Sequence, residues 1–362
     1  MLQLLRLRTV LPTCAFLLLG TILFAPSLAA WEDPADLPRI ATHDSLVPAG
    51  QLKDGVLTLH LELREGAWHP DADDGPYLPV LAFGEEGGPL SIPGPLLRVP
   101  QGTEIHVSVR NHLPFPAVVH GLHQRPGDSK DALKVPPGET REARFKTGAA
   151  GTYYYWATTG AREAAMDERS PEDTQLDGAF IVDPPGARVD DRILVIGLWY
   201  RWLVPFDFAH GFHDVLTVNG KSWPHTTRLT YTQGQTAHWR VINASVADHP
   251  MHLHGAFYRV DSVGDAERDG IYTPEQQRLV VTENMLPGST MAVSWTPEYA
   301  GNWIFHCHLT VHFAPDLASS VAEVMGVPPG EAHHETAGMA GLVVGIHVLP
   351  SKQARTPLSM RA

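Results

Sequence analysis

One stretch near the carboxyl end of the chain concentrates side chains that bind metal ions. Residues 302–312 read NWIFHCHLTVH, so that Cys307 lies between His306 and His308, and His312 follows four residues after His308. Thiolates and imidazoles are ligands that copper and zinc prefer in proteins. The stretch therefore predicts a metal site, provided that Cys307 is available as a ligand.

The amino terminus bears on what else Cys307 can do. Residues 1–30 carry arginines, then an apolar run that ends in SLAA, which is typical of a secretory signal peptide cleaved near residue 29 or 30. The chain has two cysteines, and Cys14 would leave with this peptide. A single thiol in an exported protein cannot form an internal disulfide. Cys307 is then either an inert buried thiol or a metal ligand.

Composition narrows the possible partners and location. The formal net charge is −13 at pH 7, which disfavours nucleic acid and anionic membrane surfaces as partners. After residue 30, no stretch is long and apolar enough to predict a membrane span. We therefore expect an exported protein, either periplasmic or secreted.

Short segments rich in β-branched and aromatic residues, separated by Pro/Gly turns, predict an all-β fold. The chain also repeats itself, because GTEIHVSVRN at 102–111 is matched by GQTAHWRVIN at 234–243, and AGTYYYWATT at 150–159 by AGNWIFHCHL at 300–309. We predict two tandem β-sandwiches. The predicted boundaries are 1–30 for the signal peptide, 31–187 and 188–350 for the two sandwiches, and 351–362 for a carboxyl-terminal tail.

Comparing the two copies separates the scaffold from the residues that carry chemistry. FPAVVHG at 115–121 aligns with HPMHLHG at 249–255, and WAT at 156–158 aligns with HCH at 306–308. Five of these six histidine or cysteine positions are replaced in the first copy, although both copies keep the scaffold residues. The sandwich does not need the histidines to fold, so a purely structural role for them in the second copy is hard to defend.

The alternation of side chains along a strand predicts two ligand groups on opposite faces. In the first group, Cys307, His249 and His312 supply one thiolate and two imidazoles, the ligand set of blue-copper electron-transfer sites. Zinc is the competing ion, but this spacing on sandwich loops favours copper. The second group contains only imidazoles, those of His252, His254, His306 and His308. The backbone of Cys307 links the two groups and offers a path for electrons.

HPMHLHG together with FHCHLTVH, on tandem plastocyanin-like sandwiches, resembles the multicopper oxidases over nearly the whole chain after residue 30. The resemblance implies two Greek-key cupredoxin domains, with His249, Cys307 and His312 binding the type 1 copper. It also implies that the second group supplies half of the trinuclear cluster that reduces dioxygen to water. The layout is most similar to the two-domain, laccase-like members, which are commonly homotrimers.

The first copy departs from the family pattern. Where the family has His-x-His-Gly and His-x-His, this chain has VVHG at 118–121 and WAT at 156–158, so that three of the eight cluster histidines are missing and His120 remains. We therefore expect one or two further coppers at an incomplete site, without full four-electron reduction of dioxygen. His123 is an alternative ligand, but a histidine at such a place is more often a solvated loop residue.

The axial position of the type 1 site is less regular. The family's axial residue lies five positions after the last histidine ligand, which here is Leu317. We interpret residues 313–338 as an insertion, after which Met339 returns to the axial position. The alternatives are Leu317 as a non-coordinating neighbour, or His334 in place of His312 as ligand. A thioether there would lower the copper potential relative to an aliphatic neighbour.

These patterns predict an exported copper-dependent oxidoreductase that resembles the multicopper oxidases. A small-molecule or protein donor would deliver single electrons to the type 1 copper, and the incomplete histidine site, with His120 included, would receive them. The alternatives are a non-enzymatic cupredoxin electron carrier or copper-binding protein that uses only the Cys307 site, and a structural relative with little chemistry. The intact ligand set around Cys307 argues against the structural relative.

Overall fold

A computed structural model describes residues 36–127, 131–160, 165–187, 190–202, 212–313 and 339–351. This described part is almost entirely β-structure, with 24 strands and three short 3₁₀ helices. The helices are Met166–Glu168, Pro171–Asp173 and Thr310–His312.

Twelve strands come from the first half of the chain. They are β1 (Ala41–Thr42), β2 (Gln51–Lys53), β3 (Val56–Trp68), β4 (Leu78–Glu85), β5 (Leu90–Ile92), β6 (Leu97–Pro100), β7 (Glu104–Asn111), β8 (Ala117–His120), β9 (Leu133–Val135), β10 (Thr140–Lys146), β11 (Gly151–Thr159) and β12 (Asp177–Asp183).

The other twelve strands begin at Arg192. They are β13 (Arg192–Trp202), β14 (Phe212–Val218), β15 (Leu229–Thr232), β16 (Ala237–Asn243), β17 (His249–Leu253), β18 (Tyr258–Gly264), β19 (Asp269–Ile271), β20 (Arg278–Val280), β21 (Thr282–Met285), β22 (Thr290–Trp295), β23 (Gly301–Cys307) and β24 (Val343–Leu349).

Strands β1 to β12 form the first sandwich. One sheet has the order β1-β5-β4-β3-β7-β10, with β2 paired to β3, and the other has the order β6-β12-β11-β8-β9. Both sheets contribute side chains to one core, among them Leu59, Val107, Tyr155 and Phe180. Burial of these large apolar side chains between the sheets is the main force that holds the sandwich together.

Strands β13 to β24 repeat this arrangement. One sheet has the order β14-β13-β16-β22-β18-β19, with β20 paired to β18, and the other has the order β15-β24-β23-β17-β21. The parallel pair β3–β7 recurs as β13–β16, and the parallel pair β6–β12 recurs as β15–β24. The core of the second sandwich includes Trp239, Tyr258 and Phe305. The prediction of an all-β fold with two tandem cupredoxin sandwiches is confirmed.

Strand β23 carries the chemistry because its side chains alternate between two environments. Phe305 and Cys307 lie in the core of the second sandwich. His306, between them, contacts the rings of His252 and His254 on the outer face. The period of two along a strand therefore sends the thiol inward and the imidazole outward within one dipeptide.

A buried ion-pair network ties the connection between the sandwiches to both of them. Arg98 of β6 bonds Asp183 at 2.8 Å and Asp191 at 2.6 Å. Arg240, on strand β16 of the second sandwich, also bonds Asp191, at 2.5 Å. Asp191 thus accepts hydrogen bonds from two guanidinium groups, each of which is less than a fifth exposed.

Asp191→Asn should lower the free energy of unfolding by about 2 kcal/mol, because it removes the charge that two poorly solvated guanidinium groups share. Urea denaturation of the two proteins measures the difference. Glu142→Gln is the matched control, since Glu142 pairs with Arg144 where both side chains are about two-thirds exposed and such pairs contribute little. Equal midpoints for Asp191→Asn and the wild type would contradict this account.

Candidate metal centre

Three side chains with metal-binding atoms meet inside the second sandwich. The ligand atoms of His249, Cys307 and His312 all lie within 4.8 Å of one another. Cys307 Sγ is 3.3 Å from His312 Nδ1, and the ring centroids of the two histidines are 4.9 Å apart. All three residues are buried. The structure thus brings together the first ligand group that the sequence predicts.

Strand pairing and one helical turn place these three side chains. Strands β17 and β23 are antiparallel neighbours, with Met251 opposite Cys307, so that His249 lies two residues from the cysteine's partner and on the same face. After His308 the chain turns through the 3₁₀ helix, whose last residue is His312. The Leu342 N–H donates to the His312 carbonyl at 3.1 Å, which fixes this turn against the segment that leads into β24.

Burial sets the protonation of the three candidate ligands. It lowers the pKa of His249 to about 3, with the neighbouring His312 adding to the effect, and it lowers the pKa of His312 to about 4. Burial also raises the pKa of the Cys307 thiol to about 11. Near neutral pH the imidazoles are therefore already in the form that binds a metal, whereas the thiol must lose its proton first.

The second ligand group lies on the outer face of the same two strands. The ligand atoms of His252, His254 and His306 all lie within 4.8 Å of one another. His306 is buried, His252 is half-buried and His254 is exposed, so the group opens to solvent on one side. A group of three imidazoles suits a copper or zinc ion with room for a further small ligand.

Hydrogen bonds orient two of these rings. His306 Nδ1 donates to the Cys307 carbonyl at 2.7 Å, and His252 Nδ1 lies 2.8 Å from Thr282 Oγ1. The Nε2 atom of His306 is buried and has no hydrogen-bond partner among the described residues. The Nε2 atoms are thereby left for a metal, as in sites where the other ring nitrogen is held by an outer partner.

His308 borders this group without joining the close set of three. Strand β23 ends at Cys307, and His308 is an exposed residue just beyond it. Its ring centroid is 5.0 Å from that of His252 and 5.9 Å from that of His306. The alternation along the strand predicted His308 on the same face as His306. In the structure, His308 lies beyond the end of the strand, at the solvent-exposed edge of the group.

His120 of the first sandwich is not in either close group of the described residues. Its ring stacks on Trp156 with centroids 4.7 Å apart and planes 11° from parallel. Val118 and Thr158, at the other family ligand positions, are buried and offer no nitrogen ligand. Within one chain, the first sandwich therefore fills its equivalent face by packing, and a ligand role for His120 stays a prediction.

The interpretation of His123 as a solvated loop histidine is wrong. His123 is buried, and its Nε2 lies 2.8 Å from the carboxylate of Glu267 in the second sandwich. Sequence reasoning treated the loop as exposed, because the contact between the two sandwiches that covers it is not visible in a local pattern.

Of the three residues considered for the axial position or its alternatives, the structure describes Met339 alone. Met339 is half-buried, and the N–H of the next residue, Ala340, donates to the Phe313 carbonyl at 2.8 Å. The chain thus returns beside His312 after the predicted insertion, and Met339 as axial ligand stays a prediction. Leu317, His334 and the rest of the insertion after Phe313 lie outside the described residues.

Four residues near the ligands were not predicted from the sequence. Met251 and Met285 are buried in the core with Cys307. Ser245 and Thr282 bond the rings of His249 and His252, both at 2.8 Å. A hydroxyl four residues before His249 is a signal that the sequence contains, but nothing in the sequence links Thr282 to a histidine 30 residues away.

The first group has the donors that copper takes in blue-copper sites, namely one thiolate sulfur and two imidazole nitrogens. His249 Nδ1 is buried without a hydrogen-bond partner among the described residues, as expected of an atom reserved for a metal. Sequence models described as multicopper oxidase match residues 90–185 and 204–326, which together exceed half of the chain. The chain belongs to the multicopper oxidase family. The predicted family is therefore confirmed, and copper is the metal that this family binds.

Three known proteins are similar to this multicopper oxidase, one in sequence and two in structure. A probable nitrite reductase–hydroxylamine oxidoreductase fusion protein of Kuenenia stuttgartiensis is 23% identical over 282 residues, 72% of this chain and 30% of the relative. A blue copper oxidase from Nitrosomonas europaea has a TM-score of 0.59 at 20% identity, covering 80% of this chain and 85% of that one. A copper nitrite reductase from the same organism has a TM-score of 0.54 at 16% identity, covering 81% and 94%.

The two structural similarities establish the fold, and the sequence similarity covers only part of the relative. At 20% and 16% identity, the two solved structures show a shared fold. The chain spans less than a third of the length of the Kuenenia stuttgartiensis protein. In the described part of this multicopper oxidase, no helix combines the length and the apolar character that crossing a bilayer requires.

Cys307→Ser should abolish the intense visible absorption of the copper-loaded protein, because that band requires charge transfer from a thiolate to copper. Absorption spectroscopy measures the change, and circular dichroism checks that the β-fold is retained. Survival of the blue colour in a folded variant would contradict the assignment of Cys307 as ligand.

Copper(II) uptake by the first group at pH 7 should release about one proton per ion, since the thiol is protonated and both imidazoles are neutral at that pH. Calorimetry in buffers with different ionisation enthalpies measures this number. Cys307→Ser serves as the control, because no thiol proton remains to be released. Release of no proton by the wild type would contradict the protonation states derived from burial.

Proposed function

We propose that the protein is an exported copper-dependent oxidoreductase with two connected copper sites. Electrons would enter at a type 1 site held by Cys307, His249 and His312, and would reach a second site held by the three outer histidines His252, His254 and His306. The observation that carries the proposal is the adjacency of the two ligand groups, because Cys307 and His306 are consecutive residues of β23.

The connection between the sites consists of this chain's own atoms. One route runs from Cys307 Sγ through the backbone to the His306 ring. A second is the hydrogen bond that His306 Nδ1 donates to the Cys307 carbonyl at 2.7 Å. When bound, copper supplies one-electron redox chemistry at each end. The residues hold the ligand atoms, exclude water from the first site and leave the second open at His254.

A complete trinuclear cluster is not part of the proposal. The positions where the family has three further histidines are Val118, Trp156 and Thr158, and all three are buried side chains without an imidazole. We therefore propose a second site with one copper, or at most two, rather than three.

Metal analysis with paramagnetic resonance of the copper-loaded protein tests the two-site proposal. We expect at least two coppers per chain and two signals, one of them of the imidazole-only type. His306→Gln should remove the second signal while the blue band remains. His106→Gln is the matched control, because His106 lies on the first sandwich and pairs with Glu104. A single copper per chain would instead support the non-enzymatic electron carrier.

Oxidation of phenols with dioxygen as acceptor should proceed close to the background rate, because the histidines needed for a trinuclear cluster are missing. An oxygen electrode with a laccase substrate measures this. Turnover at the level of a laccase would contradict the incomplete cluster, and would indicate that a neighbouring chain supplies ligands. We propose that such a neighbour would be another copy in a homotrimer, as is common among the two-domain members, and that it would contribute beside the exposed residues His254 and His308.

One-electron reduction of nitrite is a second candidate function. The observation that favours it is the group of three histidines with an open side, which leaves space for a small anion. Two of the similar proteins are described as nitrite reductases or fusions of one. The step would consume nitrite, one electron and two protons, and would yield nitric oxide and water.

The nitrite candidate predicts that the reduced, copper-loaded protein releases nitric oxide when nitrite is added, because each reduced second site supplies one electron. A nitric oxide electrode measures the yield per chain. His306→Gln should release none, and His106→Gln should behave like the wild type. Absence of nitric oxide from the wild type would eliminate this candidate and leave the acceptor to be sought among other small oxidants.

The electron donor and the export of the protein are also proposed. The donor would be a small molecule or a protein that reaches the edge of the sandwich near His312. Export rests on the signal-like residues 1–30. Amino-terminal sequencing of the protein from the periplasm or the culture medium tests it, with cleavage expected near residue 29 or 30. Recovery of uncleaved protein from the cytoplasm alone would contradict export.

A further inference from the structure

The neighbours of Asn243 determine which of its two side-chain amide positions is the nitrogen and which is the oxygen. Three backbone carbonyls, those of Ala247, Met285 and Leu286, lie 2.8, 3.1 and 2.9 Å from one amide position. The other amide position lies 3.1 Å from the backbone N–H of Ser245. Since carbonyls accept and an N–H donates, the first position is Nδ2 and the second is Oδ1.

This orientation fixes the role of the Ser245 hydroxyl. Ser245 Oγ lies 2.7 Å from Asn243 Oδ1, which can only accept, so the hydroxyl donates its proton there. The other oxygen within reach, the Ala247 carbonyl at 3.3 Å, is also only an acceptor. With its single proton committed to an oxygen, Ser245 Oγ can only accept at its two remaining contacts, which are the backbone N–H of Ala247 at 3.2 Å and His249 Nε2 at 2.8 Å.

The hydroxyl therefore selects one form of the His249 ring. Nε2 carries the proton, and the neutral ring has its lone pair on Nδ1. That atom has no hydrogen-bond partner among the described residues, and the ring belongs to the group with Cys307 and His312. We infer that Ser245 is a positioning residue that holds His249 with Nδ1 toward the metal. This inference rests on the proposed type 1 site.

The first copy of the repeat provides a comparison inside the same chain. Asn111 occupies the position of Asn243, and its Oδ1 accepts from the backbone N–H of Leu113 at 2.9 Å. Leu113 thus takes the place of Ser245 and has no hydroxyl. The turn forms without a serine in the copy that lost its histidine ligands. In the second copy the hydroxyl adds bonds to the Asn243 side chain and the Ala247 backbone, and it links this turn to His249.

Ser245→Ala tests the inference, because it leaves the buried Nε2–H of His249 without an acceptor and weakens the donation from Nδ1. We expect copper(II) affinity of the first site to fall about tenfold to hundredfold. The reduction potential should rise by about 59 mV for each tenfold loss that is specific to copper(II). Competitive chelation measures the affinity, and redox titration of the blue band measures the potential.

Two further variants separate positioning from general damage. Ser245→Thr keeps the hydroxyl and should restore most of the affinity and the potential. Ser289→Ala is the matched control, since Ser289 is half-buried and, among the described residues, its hydroxyl bonds the Leu286 carbonyl at 2.7 Å and no candidate ligand, so neither quantity should change. An effect of Ser289→Ala equal to that of Ser245→Ala would overturn the inference.

A measurement on the wild type needs no variant to fold. Nitrogen-15 NMR of the metal-free protein at pH 7 should identify His249 as the Nε2–H form, and finding the Nδ1–H form would overturn the inference. If the wild type turns blue with copper while Ser245→Ala keeps its affinity and potential, Ser245 has no positioning role and the proposed function stands. If the wild type binds no copper, the type 1 site and this inference both fail.

Discussion

Both ligand groups depend on the pairing of β17 with β23. Met251 lies opposite Cys307 and His252 lies opposite His306, so each strand presents one residue to the core and the next to the outer face. A slip of one residue in this register would move every side chain of a strand to the other face. The thiol would then leave the core, and the outer histidines would no longer meet. The register therefore matters as much as the residue types.

Burial on one side and exposure on the other give the two groups different properties. The first group lies in a dry core, where desolvation keeps both imidazoles neutral and the ligand atoms are held by packing. Such rigid placement of the ligand atoms is consistent with the electron-transfer role proposed for this group. The second group reaches solvent through His254, as the proposed access of a small acceptor requires. The paired strands β17 and β23 separate these two environments.

The first sandwich contacts the turn of the second sandwich that holds Ser245. Tyr154, on the strand that lost the ligand motif, donates from its hydroxyl to the Gly288 carbonyl at 2.8 Å. The Gly288 N–H in turn donates to the Asn243 carbonyl at 3.0 Å, and the Asn243 side chain holds Ser245 beside His249. A connected set of hydrogen bonds thus runs from the first sandwich to His249, a candidate ligand of the second. The first copy folds as a sandwich and makes this contact with Val118, Trp156 and Thr158 at the positions where the second copy has His252, His306 and His308.

The sequence by itself determined the all-β repeat, the three residues of the first group and three of the four residues predicted for the second group, because alternation along a strand is a local property that HPMHLHG and FHCHLTVH express directly. The alternation did not show that His308 lies just beyond the end of β23 and outside the close set. Only the tertiary structure decided that His120 stacks on Trp156 and is in neither close set, that His123 pairs with Glu267, and that hydroxyls bond the rings of His249 and His252. These facts depend on how loops and sandwiches pack against each other. Packing joins residues that are far apart in the chain, and no local period records it.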